Sequence, residues 1–198
     1  MAESLYTIGH STHAIEYFIE MLLEHRVNCV VDVRSLPASR FNPQYNKKAL
    51  ARSLEDHGIS YLHMPDEFGA RLTDRRLLDQ DGKVDFAKVR RSKKFVEGID
   101  AISKRIWDGD NVVLMCSEAD PLTCHRFAMI SPALKHFKIL HILKDKTTVS
   151  QAELEKKLMQ QYANKLPQVT LFETPTQESA LESAFKLLNK EIGYSPKI

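Results

Sequence analysis

No apolar stretch of the 198-residue sequence approaches the roughly eighteen residues that a membrane-spanning helix needs, so no membrane partner is expected. The opening MAESLYTIGHS lacks the basic start and apolar core of a secretory signal, and a cytoplasmic location is the expectation. Cysteine is scarce and odd in number: without a secretory context, Cys29, Cys116 and Cys124 argue against a disulfide framework and for reduced thiols. Glycine is scarce too. Neither G-x-G-x-x-G nor a P-loop occurs, which argues against a tightly held dinucleotide or ATP, and no cofactor is expected. Nor is there an excess of charge: 28 Lys+Arg face 26 Asp+Glu, which excludes a polybasic nucleic-acid coat and an acidic tail.

What is there alternates between two periods. Leu5 to Gly9 is a short apolar run, and Ser11 or Thr12 can cap the helix whose stripe is Ile15, Phe18, Ile19, Leu22 and Leu23. Asn28 to Arg34 is a β-branched run with no polar alternation before Asp32, the pattern of a strand covered on both faces; Cys29 lies inside it as a small core residue. Tyr45 to His57 reads as a helix stopped by Gly58, and Ile59 to His63 as a third strand. A helix is expected from Asp85 to Trp107, the central strand at Val112 to Cys116, a helix from Asp120 to His136 and a strand from Lys138 to Leu143. This order predicts a Rossmann-like, doubly wound α/β fold over 1–145, with a mainly parallel sheet and helices on both faces. Residues 146–198 read as a helical C-terminal extension: a capping box at Ser150 and Glu153, a Pro-bounded linker at 167–175, and a last helix capped by Thr176.

In such sheets ligands bind beyond the carboxyl ends of the strands, and three strands leave polar groups there. His10 and Ser11 follow the first, Asp32, Arg34, Ser39 and Arg40 the second, and Cys116, Glu118, Cys124, His125 and Arg126 the fourth. Cys116, Glu118, Cys124, His125 and Asp32 are the candidate catalytic set, with a thiolate favoured by a helix start at Asp120-Pro121 or Thr123. His10, Ser11, Arg34, Ser39, Arg40 and Arg126 are candidates to hold an anionic substrate, because guanidinium forks match phosphate and carboxylate. The plainer reading of each residue is a cap, an ion pair or a buried thiol. Convergence on one edge favours a site. A metal on Cys116, Cys124 and His125, with Glu118 or His10 fourth, is the lesser alternative: seven residues separate the thiols, and adjacent helical Cys124 and His125 would diverge by about a quarter-turn.

Thr7 to Ser11 (TIGHS), Asp32 to Arg40 (DVRSLPASR) and Met115 to Arg126 (MCSEADPLTCHR) resemble the signatures of domain-of-unknown-function family 488, a family of bacterial and archaeal proteins, over about residues 5–172. The resemblance implies an α/β fold with this site and names no substrate. One departure is Phe68-Gly69-Ala70, where the family pattern has a Leu-Gly-Gly-like turn.

Two features lie apart from that edge. Between Arg71 and Lys94 nine Lys+Arg face four acidic residues, densest at Arg90, Arg91, Lys93 and Lys94: a solvated face, a lid over an anionic substrate, or a contact for nucleic acid. Gln168, Leu171 and Phe172 match the Gln-x-x-Leu-Phe peptide by which many bacterial DNA-repair proteins bind the sliding clamp; alternatively, they pin the tail to the core. The leading expectation is an enzyme acting on an anionic small molecule, a nucleotide or nucleic acid, against a non-catalytic clamp- or nucleic-acid-binding module and a metal or thiol-redox protein.

Overall fold

The β-branched run near residue 30 and the apolar run near residue 114 become adjacent inner strands in a computed structural model that describes residues 3–167 and 176–196. Six strands form one sheet: β1 (Ser4–Gly9), β2 (Cys29–Asp32), β3 (Ser60–His63), β4 (Val112–Cys116), β5 (Lys138–Ile142) and β6 (Thr148–Ser150). Their spatial order is β3-β2-β4-β1-β5-β6, with every neighbouring pair parallel except β5 and β6. All residues of β2 and β4 are buried, as a strand covered on both faces requires. The expected α/β class with a mainly parallel sheet holds. Helices α1 (Ile15–Glu24) and α2 (Lys47–Glu55) pack on one face over Ile8, Val30, Val113 and Met115.

The other face is covered by the rest of the chain: α3 (Pro65–Phe68), α4 (Phe86–Arg90), α5 (Lys93–Trp107), α6 (Gln151–Gln161) and α7 (Gln177–Ile192). Their core side chains lie over Leu5, Val31, Leu114 and Ile139, and Cys29 is buried there as expected. The C-terminal extension shares this core through Leu154, Leu158, Ala184 and Leu188, and it is not wholly helical, because β6 extends the sheet. The clamp-like peptide of Gln168, Leu171 and Phe172 lies outside the described residues. No helix among the described residues is long and apolar enough to cross a membrane.

Three local expectations fail. The helix expected over 85–107 breaks at Arg91 and Ser92, because Asp85 caps α4 and the Ser92 hydroxyl accepts from Phe95 N to start α5 afresh. The segment 120–136 is a 3₁₀ turn (Pro121–Thr123), a π-helical turn (Arg126–Ile130) and another 3₁₀ turn (Ser131–Leu134). The extended Cys124 parts the first turn from the second, and Pro132, whose ring and missing N–H forbid continuing an α-helical ladder through that point, parts the second from the third. Finally, neither Ser11 nor Thr12 caps α1: Ala14 precedes it without a side-chain bond, and Ser11 sits in the left-handed region at φ 49°.

A buried histidine ties β1 to β5. His141 is fully buried; its Nδ1 accepts from the Thr7 hydroxyl at 2.8 Å, and its Nε2 meets Gln151 Oε1 at 2.9 Å. Burial lowers its pKa from 6.5 to about 4. The folded state therefore keeps it neutral where the unfolded chain takes up a proton. Its stabilisation is complete above about pH 6.5 and is lost as pH falls toward 4, about 2 kcal/mol by pH 5. Urea unfolding at pH 7 and pH 5 should show a smaller loss in His141→Gln than in the parent. Equal losses would remove His141 from the account.

Candidate functional site

Strands β1 and β4 are neighbours, yet their onward connections part: β1 leads through α1 to β2 on one side, and β4 leads to β5 on the other. That divergence opens a crevice at the carboxyl ends, where ligands bind in open α/β sheets. The ladder continues past both strands, His10 N donating to Cys116 O and Ser11 N to Ser117 O, each at 2.9 Å. The loops after β1 and β4 are thus held side by side.

Four side chains converge behind this edge. Cys116 Sγ donates to Glu118 Oε2 at 2.8 Å, and Cys124 Sγ lies 3.2 Å from the same oxygen. His125 Nδ1 is 3.6 Å from Cys116 Sγ and 3.8 Å from Cys124 Sγ. Its Nε2 donates to Val33 O at 3.1 Å, which leaves the Nδ1 lone pair facing the thiols in the neutral ring. The two sequence arguments against a metal here do not survive. Asp120 caps the Pro121 turn and folds the long spacer back, and Cys124 is extended (φ −128°, ψ 141°), so it does not diverge helically from His125. One ligand atom from each of the four lies within 4.8 Å of the others, a group able to hold a metal ion.

Burial pushes the Cys116 thiol well up, and the neighbouring Cys124 and Glu118 reinforce this. Burial alone would raise Cys124 too, but its bond to Cys116 and the charges of Arg126 and His125 hold it well below the usual thiol value. Burial and the Cys124 charge raise Glu118; His125 is raised by Cys124 against its own burial. Of the two thiols, Cys124 is thus the one biased toward the thiolate and Cys116 the one biased against it, and Cys124 Sγ also accepts from Arg126 N at 3.5 Å.

Arg126 is fully buried, donating from Nη1 to Glu118 O at 2.6 Å and from Nη2 to Ala119 O at 3.1 Å, with Nε unpartnered. It fixes the loop and does not face the crevice. Asp32, also fully buried, accepts from Arg34 Nε and Nη2 and from the Tyr61 hydroxyl, at 2.9, 2.6 and 2.6 Å. Both carboxylate oxygens are occupied, so Asp32 acts as a positioning residue for Arg34. Arg34 Nη1 in turn donates to His10 Nε2 at 3.0 Å, while His10 Nδ1 donates to Ser11 O and the ring stacks on Tyr45 at 4.0 Å. Burial and the Arg34 charge lower the His10 pKa to about 4, keeping it a neutral acceptor.

In front of these groups lies a cavity of about 370 Å³ lined by His10, Ser11, Thr12, Arg34, Leu36, Ala38, Ser39, Asn42, Ser117, Glu118 and Ala119. Ser39 Oγ accepts from Phe41 N and Asn42 N, which leaves its hydroxyl hydrogen free to donate. Arg40 is exposed and does not line the cavity. Of the basic segment, Arg91, Lys93 and Lys94 line a separate cavity of about 850 Å³, Lys94 pairing with Asp66 at 2.8 Å, whereas Arg90 turns inward to Ala128 O. At the Phe68-Gly69-Ala70 departure the essential glycine is kept: a Cβ on Gly69 would lie 2.4 Å from Pro65 O and 2.7 Å from Ser35 Oγ.

Sequence reasoning missed Tyr45, Tyr61 and Asn42, and it gave no site role to Thr12 or Ser117, which line the cavity. Tyr61 was findable, since a half-buried tyrosine in a strand beside Asp32 needs a partner for its hydroxyl. The family model Domain of unknown function DUF488 matches residues 14–131, which include β2, β4 and all four clustered side chains. Comparisons with curated proteins and with solved structures return no match.

Proposed function

The chain belongs to the DUF488 family, and we propose that it is an enzyme acting on a small, oxygen-rich anion, such as a phosphate-bearing metabolite or nucleotide, at the carboxyl edge of its sheet. One observation carries this reading: Glu118 belongs both to the cavity wall and to the buried Cys116/Cys124/His125 cluster. Reactive groups and binding space meet at that carboxylate. The wall supports an anion because, beside the Glu118 carboxylate and the apolar Leu36, Ala38 and Ala119, it carries several donor groups: hydroxyls of Ser11, Thr12, Ser39 and Ser117, the Asn42 amide and the Arg34 guanidinium. Arg34 is already paired to Asp32, so recognition rests on hydrogen bonds around one partly neutralised cation. Ser11 holds a left-handed backbone at the cavity wall, a strained placement of the kind that clusters at ligand sites.

The chemistry available to a bound anion is polarisation and proton transfer at Glu118, the one cluster member facing it. Calorimetric titration with inorganic phosphate and nucleoside monophosphates is expected to show saturable binding. Ser39→Ala should weaken it roughly five- to tenfold, the loss of one hydrogen bond of about 1 kcal/mol. In a panel of phosphate mono- and diesters, Glu118→Gln should abolish turnover while phosphate binding persists. If phosphate and the nucleotides fail to bind at millimolar concentration, the reading is wrong.

A further inference from the structure

We propose that Cys116, Cys124, His125 and Glu118 hold a zinc ion. Zinc–sulfur bonds of about 2.3 Å and zinc–nitrogen bonds of about 2.0 Å put the sulfur-to-nitrogen edge of a tetrahedron at about 3.5 Å. The two such edges here measure 3.6 and 3.8 Å. The sulfur-to-oxygen contacts of 2.8 and 3.2 Å are shorter, as hydrogen bonds are, and lengthen modestly when a cation replaces the protons.

The surroundings are those of a metal site as well. His125 gives its Nε2 hydrogen to Val33 O, and Val33 N is itself fixed to Met115 O at 3.1 Å, so the sheet backbone sets the ring's tautomer and direction. Cys124 Sγ receives the Arg126 N–H. The buried Arg126 guanidinium, which forms no ion pair among the described residues, supplies the charge balance. A divalent ion with two thiolates and one carboxylate carries a net −1, and Arg126 returns the site to neutrality, which a buried cluster demands. Two thiolates and an imidazole select zinc over magnesium or calcium. On binding, zinc takes one lone pair from each sulfur, from a Glu118 oxygen and from His125 Nδ1, and the protons those groups carried pass to solvent.

The ligands are not equivalent. Cys116, Cys124 and His125 are buried, whereas Glu118 is exposed and forms part of the cavity wall. Three fixed ligands with a fourth facing a cavity is the pattern of a zinc site whose fourth position can pass to a substrate oxygen. That use rests on the enzymatic reading above; the ion's presence does not.

The test is elemental analysis of the full chain purified without chelators, followed by cobalt substitution. Equimolar zinc is expected, and the cobalt form should show thiolate-to-metal charge-transfer bands and the intense visible bands of a tetrahedral site. Cys116→Ser and His125→Gln should lose the metal. Should either fail to fold, Glu118→Gln, which leaves three ligands, should keep the thiolate-to-cobalt band and change only the visible bands. A folded parent protein without metal after growth in zinc, and without a thiolate-to-cobalt band, would overturn the proposal; so would full metal retention in a Cys116→Ser/Cys124→Ser double variant. Phosphate titration of the same sample separates the two claims: metal without phosphate binding defeats only the anion reading, and phosphate binding without metal defeats only this one.

Discussion

Gly9→Ala is expected to destabilise the fold by about 3 kcal/mol or more and to disorganise the Cys116/Glu118/Cys124/His125 cluster. A Cβ on Gly9 would lie 1.8 Å from Glu118 O, 2.6 Å from Glu118 C and 3.1 Å from Ala119 Cα. All three are backbone atoms, so no rotamer change relieves the clash; the loop after β4 must move. That loop is held by Arg126, whose Nη1 and Nη2 bind the carbonyls of Glu118 and Ala119. Displacing it leaves a buried guanidinium with unpaired donors, which adds to the steric cost. Urea unfolding gives the stability, and the cobalt spectrum gives the state of the cluster. If Gly9→Ala unfolds within about 0.5 kcal/mol of the parent and keeps the spectrum, the close packing of the β1 and β4 loops is not what holds the site.

The same glycine marks where sequence was legible. In TIGHS the sequence places a glycine between an apolar strand and polar residues, and convergence at the carboxyl edge follows once the strands are parallel. The parallel sheet is legible in the apolar runs at 29–31 and 112–116, the pattern of strands covered on both faces, alternating with helices. What sequence could not supply was local backbone geometry. Phe127, Met129, Ile130 and Leu134 recur at a spacing that 3₁₀, α and π turns all accommodate, so the pattern over 120–136 does not choose between them. The consequence was functional as well as structural. An α-helix would have separated Cys124 from His125, and the extended Cys124 instead brings both to Cys116, lifting a metal from a lesser alternative to the proposal made above. The basic run at Arg90 to Lys94 does not act as one face: the Ser92 cap breaks the helix there, sending Arg90 inward and leaving its neighbours on the wall of another cavity.

Asp32→Ala should cost about 3–5 kcal/mol, because it strands a buried cation. Arg34 is 6% exposed, and its ion pair with Asp32 closes at 2.6 Å. The remaining Arg34 partners, the Tyr45 carbonyl and the His10 ring, carry no charge in the folded state. With Asp32 gone, the guanidinium keeps dipoles but no counterion, and Tyr61 loses the acceptor of its hydroxyl. Asp32→Ala/Arg34→Met should recover much of the loss, since removing both charges also removes the desolvation cost of keeping them. The double-mutant cycle then yields a coupling of roughly 2 kcal/mol or more between the two positions. Phosphate affinity separates structural from functional consequence. The double variant, stable but without the guanidinium that lines the cavity, should fold and bind phosphate weakly. Additive losses in the cycle, or phosphate binding that survives the removal of Arg34, would place the pair outside both the stability of this edge and the recognition of its ligand.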